Sequence, residues 1–183
     1  MPSSLTITGI AGSLRADSYS RIVLASIAEF LPAGTRFETI DAGALPHYNQ
    51  DLDNAAAPAA VAQARAQVSR SDALLIVTPE FNHGLPGVLK NTLDWLSRPA
   101  FSSAMLGKPV MFATLSPGAL GGVRAQAQMR ETLASMLCRL VALPEIAITQ
   151  VGAKIAEGKL ADTQTRAFIQ QVLETFLANV KAI

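Results

Sequence analysis

The sequence predicts an α/β fold built on a parallel sheet, and three observations predict it. Short apolar, β-branched runs alternate with amphipathic stretches five times along the chain. One run, Ala73-Leu74-Leu75-Ile76-Val77-Thr78, is apolar almost throughout, as a central parallel strand buried on both faces must be. The segments richest in glycine and polar residues follow the first, third and fourth strands, which collects them at one edge of the sheet.

The elements follow in order. Thr6–Ala11 is the first strand, and the loop Gly12–Ser18 leads into a helix from Tyr19 to Leu31. That helix carries Ile22, Val23, Ser26, Ile27 and Phe30 on one stripe, and Pro32-Ala33-Gly34 ends it. Arg36–Ile40 alternates and reads as a more exposed second strand. Asp41–Pro58 has no periodicity and reads as a long surface loop. A helix at Ala59–Ser71 precedes the central strand, and a loop from Pro79 to Gly87 follows it. A helix then opens at Pro86 or Gly87 and runs through Trp95. Pro109–Leu115 is the fourth strand, Ser116–Gly122 a glycine-rich loop and Val123–Leu140 a helix. That helix sets Met129, Leu133, Met136, Leu137 and Leu140 on one side. Glu145–Ile148 is the fifth strand. Ala161–Val180 closes the chain as a helix with Phe168, Val172, Leu173, Phe176 and Val180 inward. Right-handed crossovers arrange five such strands as a three-layer sandwich in the flavodoxin-like order 2-1-3-4-5.

Composition narrows the function. The 183 residues suit one domain, 50% apolar and 16% charged, and the low charge leaves apolar surface for self-association. A net charge of +1 without a basic run gives no support to nucleic-acid binding. No apolar run approaches a membrane span, and MPSSLTITGIAG has no basic leader region before its strand. The single cysteine, Cys138, forbids an internal disulfide and suits a reducing, cytoplasmic setting. It lies between Leu137 and Leu140 and reads as core rather than redox-active.

The first loop, Gly12–Arg21, gathers Ser13, Ser18 and Ser20 with Arg15 and Arg21 at a helix N-terminus. Free N–H groups, hydroxyl donors and guanidinium groups there suit a phosphate. No Lys follows a glycine run, so it is not a Walker A loop. Gly9 and Gly12 alone do not make the dinucleotide fingerprint. A terminal phosphomonoester, as in FMN, suits this set better than a pyrophosphate. The bland alternative is serines that cap the helix and arginines left in solvent.

The second loop, from Pro79 through Glu80, Phe81, Asn82 and His83 to Gly87, sets an aromatic between prolines and glycines. It forms a stiff wall for a flat heterocycle, with Asn82 in reach of a ring edge. His83 has only His47 for company and reads as a substrate-lining residue, not a metal ligand. Trp95 and Leu89 read as core. In the third loop, Gly118, Gly121 and Gly122 admit close backbone approach, and Ser116 offers a hydroxyl. Positive dipoles at this edge would favour a reduced, anionic flavin.

Three motifs carry a family resemblance. They are G-S-L-R-x-x-S-x-x-R at Gly12–Arg21, P-E-[FY]-N-x-x-x-P-G-x-L-K-N-x-x-D-W at Pro79–Trp95, and G-G-x-R-A-Q-x-x-[LM]-R at Gly121–Arg130. The chain resembles the NADPH-dependent FMN reductase family, which includes chromate and quinone reductases and azoreductase-like enzymes. The resemblance implies bound FMN, NADPH or NADH as co-substrate, and dimers that pair into tetramers. It implies that Ser13, Arg15 and Ser20 bind the FMN phosphate, with Ser18 and Arg21 near it. Pro79, Glu80, Phe81 and Asn82 would line the isoalloxazine, and Ser116 with Gly118 would approach it. Ser20 stands where Asn is frequent and keeps a donor. Phe81 stands where Tyr is common and keeps the stacking face without the hydroxyl. The implied reaction passes hydride from NAD(P)H through the flavin to a quinone, free FMN, chromate or an azo compound, with no catalytic side chain. A flavodoxin-type electron carrier is the alternative, and the net charge of +1 speaks against it.

Overall fold

β3 (Ala73–Pro79) takes the middle of the sheet because six of its seven residues are apolar enough, or small enough, to be buried on both faces. The computed structural model describes residues 5–54 and 56–181. Residues 1–4, which bear on the absence of a leader, and residue 55 of the long loop lie outside this range. β1 (Thr6–Ala11) pairs in parallel with β2 (Arg36–Thr39) on one side and with β3 on the other. β4 (Pro109–Leu115) continues the sheet beyond β3, giving the order β2-β1-β3-β4-β5. The sheet order is therefore the flavodoxin-like one expected from the sequence.

Strand pleating divides the core into two. Ile7, Leu75, Val77, Met111, Ala113 and Leu115 face one side, under α1 (Tyr19–Ala28) and α5 (Thr163–Lys181). Ile10, Leu74, Ile76 and Val110 face the other, under α2 (Ala59–Arg70), α3 (Gly87–Leu96) and α4 (Val123–Ser135). Each fully buried Leu, Ile or Val contributes about 1.5–3 kcal/mol of transfer free energy. Trp95 and Leu89 are fully buried, as their apolar spacing predicts.

Several expectations change. α4 stops at Ser135 rather than at Leu140. Leu137 adopts φ 59°, and Cys138 N–H donates to the Leu133 carbonyl across the helix end, a Schellman closure made without glycine. Arg139–Leu140 then becomes the short strand β5, and β6 (Ile146–Ile148) pairs with β4 further along. The fifth position in the sheet is thus two strand pieces, interrupted at 141–145. Leu137 is 46% exposed instead of buried, whereas Met129 and Leu133 hold the inward stripe. Phe168 likewise points outward on α5, and Ile169 is the buried residue there. α1 ends at Ala28, three residues earlier than expected, as Phe30 and Leu31 tighten into i−3 bonds before Pro32. The loop 41–58 contains two 3₁₀ turns, and a small antiparallel pair, β7 (Ile155–Ala156) and β8 (Lys159–Leu160), precedes α5.

Candidate cofactor-binding site

The loop after β1 is pinned at its start and open along its length. Gly12 N–H donates to the Val77 carbonyl at 2.8 Å, which draws the loop onto β3. A Cβ at Gly12 would stand 2.2 Å from Thr78 Oγ1, so only glycine fits this approach. Leu14, Arg15, Ala16 and Asp17 are exposed. Among the described residues, the backbone N–H groups of Ser13 to Asp17 have no protein acceptor. Ser18, at the N-cap of α1, accepts from Arg21 N–H at 3.2 Å, and its own O–H remains a donor. Arg21 Nε donates to the Ser13 carbonyl, and Arg15 donates to the Asp17 carbonyl while lying 5.7 Å from the Tyr19 ring centre.

Ser20, at the second position of α1, is 1% exposed, and its Oγ has no hydrogen-bond partner among the described residues. A buried hydroxyl left unpaired costs about 1–3 kcal/mol, so this atom marks a place for an external acceptor. Free N–H groups, the orphan Ser20 hydroxyl, the Ser13 hydroxyl and two guanidinium groups fit the phosphate of FMN.

The loop after β3 is built differently. Phe81 and Gly84 exchange both backbone hydrogen bonds at 3.0 Å. Asn82 and His83 turn between them at φ 49° and 65°, the conformation of a type I′ hairpin. The turn lifts Phe81 into solvent at 57% exposure, an apolar ring presented rather than packed. Asn82 and His83 are exposed beside it.

Two side chains tie this hairpin to α4. Glu80 Oε2 accepts from Arg124 N–H at 2.9 Å and from Ala125 N–H at 3.1 Å, and Arg124 lies 3.8 Å from Glu80 Oε1. Gln128 Oε1 accepts from Leu85 N–H at 2.6 Å. Glu80 was expected to line the ring; its carboxylate instead faces the helix, leaving its backbone to the hairpin. The same contact occupies two of the first N–H groups of α4, so that helix end does not present the free positive pole expected from the sequence.

The loop after β4 closes the unit. Ser116 Oγ accepts from Gly118 N–H at 2.9 Å, and Gly118 carbonyl accepts from Gln150 N–H. Thr114 Oγ1 donates to the Gly121 carbonyl, and Gln126 Nε2 donates to Thr114 Oγ1 and to the Ile146 carbonyl. Gly122, at φ 84°, would set a Cβ 3.0 Å from Thr114 Cβ. Leu120 and Val123 are exposed apolar residues flanking this turn.

The structure thus brings Pro79, Glu80, Phe81, Asn82, His83, Ser116 and Gly118 to the carboxyl edge of β3 and β4. Ser13, Arg15, Ser18, Ser20 and Arg21 gather at the adjacent edge of β1. The rest of the second motif is structural. Asn91 donates to the Pro46 carbonyl and accepts from Tyr48 N–H, Trp95 Nε1 donates to the same carbonyl, and Lys90 pairs with Asp94 at 2.6 Å. The Asn91 and Trp95 contacts fasten the long loop 41–58, and the Lys90–Asp94 pair lies within α3. Sequence reasoning missed Gln128 and gave Thr78 and Thr114 no role. Gln126 and Gln128 lie within the third motif, and a glutamine on the buried stripe of α4 with a second two residues on was the available signal. At the far end of α4, burial pushes the Cys138 thiol up to about 12, as befits a packed and unreactive sulfur.

Comparison with known proteins shows the family and the fold. The family model described as NADPH-dependent FMN reductase matches residues 5–174. A quinone reductase of Pseudomonas putida is 38% identical over 177 residues, covering 96% of this chain and 95% of that protein. A 2-hydroxy-1,4-benzoquinone reductase of a Burkholderia species is 37% identical over 179 residues, covering 97% of each. Among solved structures, the flavoenzyme NAD(P)H:(acceptor) oxidoreductase of Paracoccus denitrificans superposes with a TM-score of 0.87 at 33% identity. That match covers 97% of this chain and 98% of the neighbour.

Proposed function

The chain belongs to the NADPH-dependent FMN reductase family, and from that premise we propose that it is an FMN-dependent NAD(P)H oxidoreductase that reduces quinones. We read residues 1–183 as a single FMN-binding domain. The observation that carries the site is the buried, unpartnered Ser20 hydroxyl at the head of α1, beside a run of free backbone N–H groups. Ser13, Arg15 and Ser20 hold the phosphate there, with Ser18 and Arg21 shaping the loop around it. Pro79, Phe81 and Asn82, with the backbone of Glu80, take one side of the flavin ring, and Ser116 and Gly118 take its other edge. His83, exposed at the tip of the hairpin, lines the path of the second substrate.

FMN supplies the redox chemistry when bound, accepting hydride from the nicotinamide and passing two electrons to the acceptor. The protein's own work is placement. The hairpin holds a flat apolar surface at fixed height above the strand ends, and the phosphate loop fixes the other end of the cofactor. Phe81 without a hydroxyl leaves stacking, rather than a phenol hydrogen bond, to orient the acceptor. We also place the enzyme in the cytoplasm; no described helix is long and apolar enough to cross a membrane.

We propose that it works as a homodimer or homotetramer. Support comes from a cleft of about 440 Å³ between α3 and α4, rimmed by Phe101 at 82% exposure and Leu137 at 46%. The test is direct. The purified protein is expected to carry FMN and to oxidise NADPH or NADH when p-benzoquinone is added. Flavin binding without nicotinamide oxidation would contradict the enzymatic reading and leave the carrier in its place.

A further inference from the structure

α4 begins without a cap of its own. Its N-cap is Gly122, which has no side chain to accept from the first turn. Its first turn carries no acidic residue. The acceptor comes from 44 and 45 residues earlier in the chain, where one oxygen of Glu80 takes both the Arg124 and Ala125 N–H groups. These are the second and third helical positions, the ones an N-cap side chain ordinarily serves. Glu80 is also the first residue after β3, one position before the Phe81–Gly84 hairpin. Its side chain is 13% exposed, so the contact is shielded from competing water.

We propose that Glu80 is a positioning residue: it caps α4 from the outside and thereby fixes the height and tilt of the hairpin that presents Phe81. One carboxylate then makes a single rigid block of the β3 loop, the β4 loop and α4. The links on the other side are already present. Gln126 fastens α4 to Thr114 and Ile146, and Thr114 fastens Gly121. Gln128 supplies a second tie at Leu85, one turn along the same helix. Remove Glu80, and the hairpin keeps only that tie while α4 loses its cap. The hairpin's own two backbone bonds survive, so it remains a hairpin but loses its anchorage.

The consequence for binding rests on the reading of residues 79–82 as the ring loop. A loop already held in place binds a flat ring without an ordering cost; a loose one must be ordered first. The carboxylate's hydrogen-bonding capacity matters more here than its charge, because a neutral amide oxygen can accept from the same two N–H groups. Glu80→Gln therefore rescues, and Glu80→Ala does not.

The experiment has two arms, both on the full chain. In the first, hydrogen exchange is measured on the FMN-free protein. Glu80→Ala is expected to speed exchange at Arg124 and Ala125 and at Phe81, Gly84 and Leu85 by tenfold or more, with Glu80→Gln within about threefold of wild type. Glu80→Asp keeps the charge but shortens the reach by one methylene. It moves exchange the same way by a smaller factor, and it keeps the test available if Glu80→Ala does not fold. In the second arm, FMN affinity is titrated by flavin fluorescence. About tenfold weaker binding is expected for Glu80→Ala, with rescue in Glu80→Gln. Unchanged exchange across 81–85 in both Glu80→Ala and Glu80→Asp overturns the positioning role. Faster exchange there with unaltered FMN affinity upholds the brace and overturns the assignment of residues 79–82 to the ring.

Discussion

The loop after β1, proposed to hold the phosphate, and the hairpin after β3, proposed to face the ring, lie at the same sheet edge and are built on opposite principles. Residues 13–17 are mostly exposed, and their N–H groups, with the Ser20 hydroxyl, have no protein acceptor among the described residues. The hairpin is braced at Phe81, Gly84 and Leu85, with the Glu80 carboxylate seated on α4, and only the Asn82 and His83 N–H groups at its tip lack an acceptor among the described residues. One loop holds its donors in reserve for a ligand; the other uses its polar groups internally to hold an apolar ring still. A charged, water-loving phosphate needs many unsatisfied donors, because each must repay its lost hydration. A planar ring needs a fixed surface, because stacking is weak per contact and sensitive to position. On the proposed site, affinity is thus concentrated in the first loop and geometry in the second.

The largest expected effect breaks the first loop. Ser13→Ala with Arg15→Ala removes two donors to a charged acceptor, each worth about 1.5–3 kcal/mol. FMN affinity measured by fluorescence titration should fall by more than about 100-fold, with the apo protein's unfolding midpoint little changed. Gly12→Ala comes next. Its Cβ must displace Thr78, because 2.2 Å to Oγ1 and 3.0 Å to Cα leave no room. The expected cost is about 1–3 kcal/mol in chemical denaturation, together with loss of FMN. Ser20→Ala sharpens the contrast, because its two effects separate. Removing a buried hydroxyl that has no partner leaves apo stability unchanged or slightly raised. The same change weakens FMN by about tenfold, the worth of one hydrogen bond to a charged group. A loss of apo stability would mean that the hydroxyl is already satisfied within the protein.

Cys138 is the smallest effect and the control. Burial raises its thiol from the ordinary value to about 12, so the neutral form is the one the fold favours. That contribution is complete below the unfolded thiol's pKa and is lost as pH rises toward 12. At pH 8 the native protein should react with iodoacetamide only as fast as it opens. Cys138→Ala should leave FMN affinity within about twofold.

Much of the contrast was legible in the sequence, for physical reasons. The serine and arginine cluster at Gly12–Arg21 points to the proposed anion site because one capping serine, Ser18, serves the helix and leaves the other hydroxyls and the guanidinium groups surplus to it. β3 and β4 announce themselves because burial on both faces permits only apolar or small residues. The end of α4 was hidden, because Leu137 takes the left-handed position that glycine ordinarily marks, and Met136, Leu137 and Leu140 continue a helical spacing. The split fifth strand followed from the same error. Phe168 was placed inward because its spacing to Val172 and Phe176 fits, yet Ile169 shares that stripe and is the one buried. The sequence places Glu80 with the neighbours proposed to line the ring, and the structure adds a contact of its carboxylate with α4. Its contact with Arg124 and Ala125 spans more than 40 residues, and no local pattern encodes it.

The division between a waiting loop and a finished one is tested most directly by hydrogen exchange on the wild-type protein with and without FMN. Before FMN is added, Phe81, Gly84 and Leu85 should already be protected and residues 13–17 should exchange at nearly the free rate. On binding, protection should rise steeply across 13–17 and little across 81–85. An equal rise in both segments, or a rise confined to 81–85, would contradict the account.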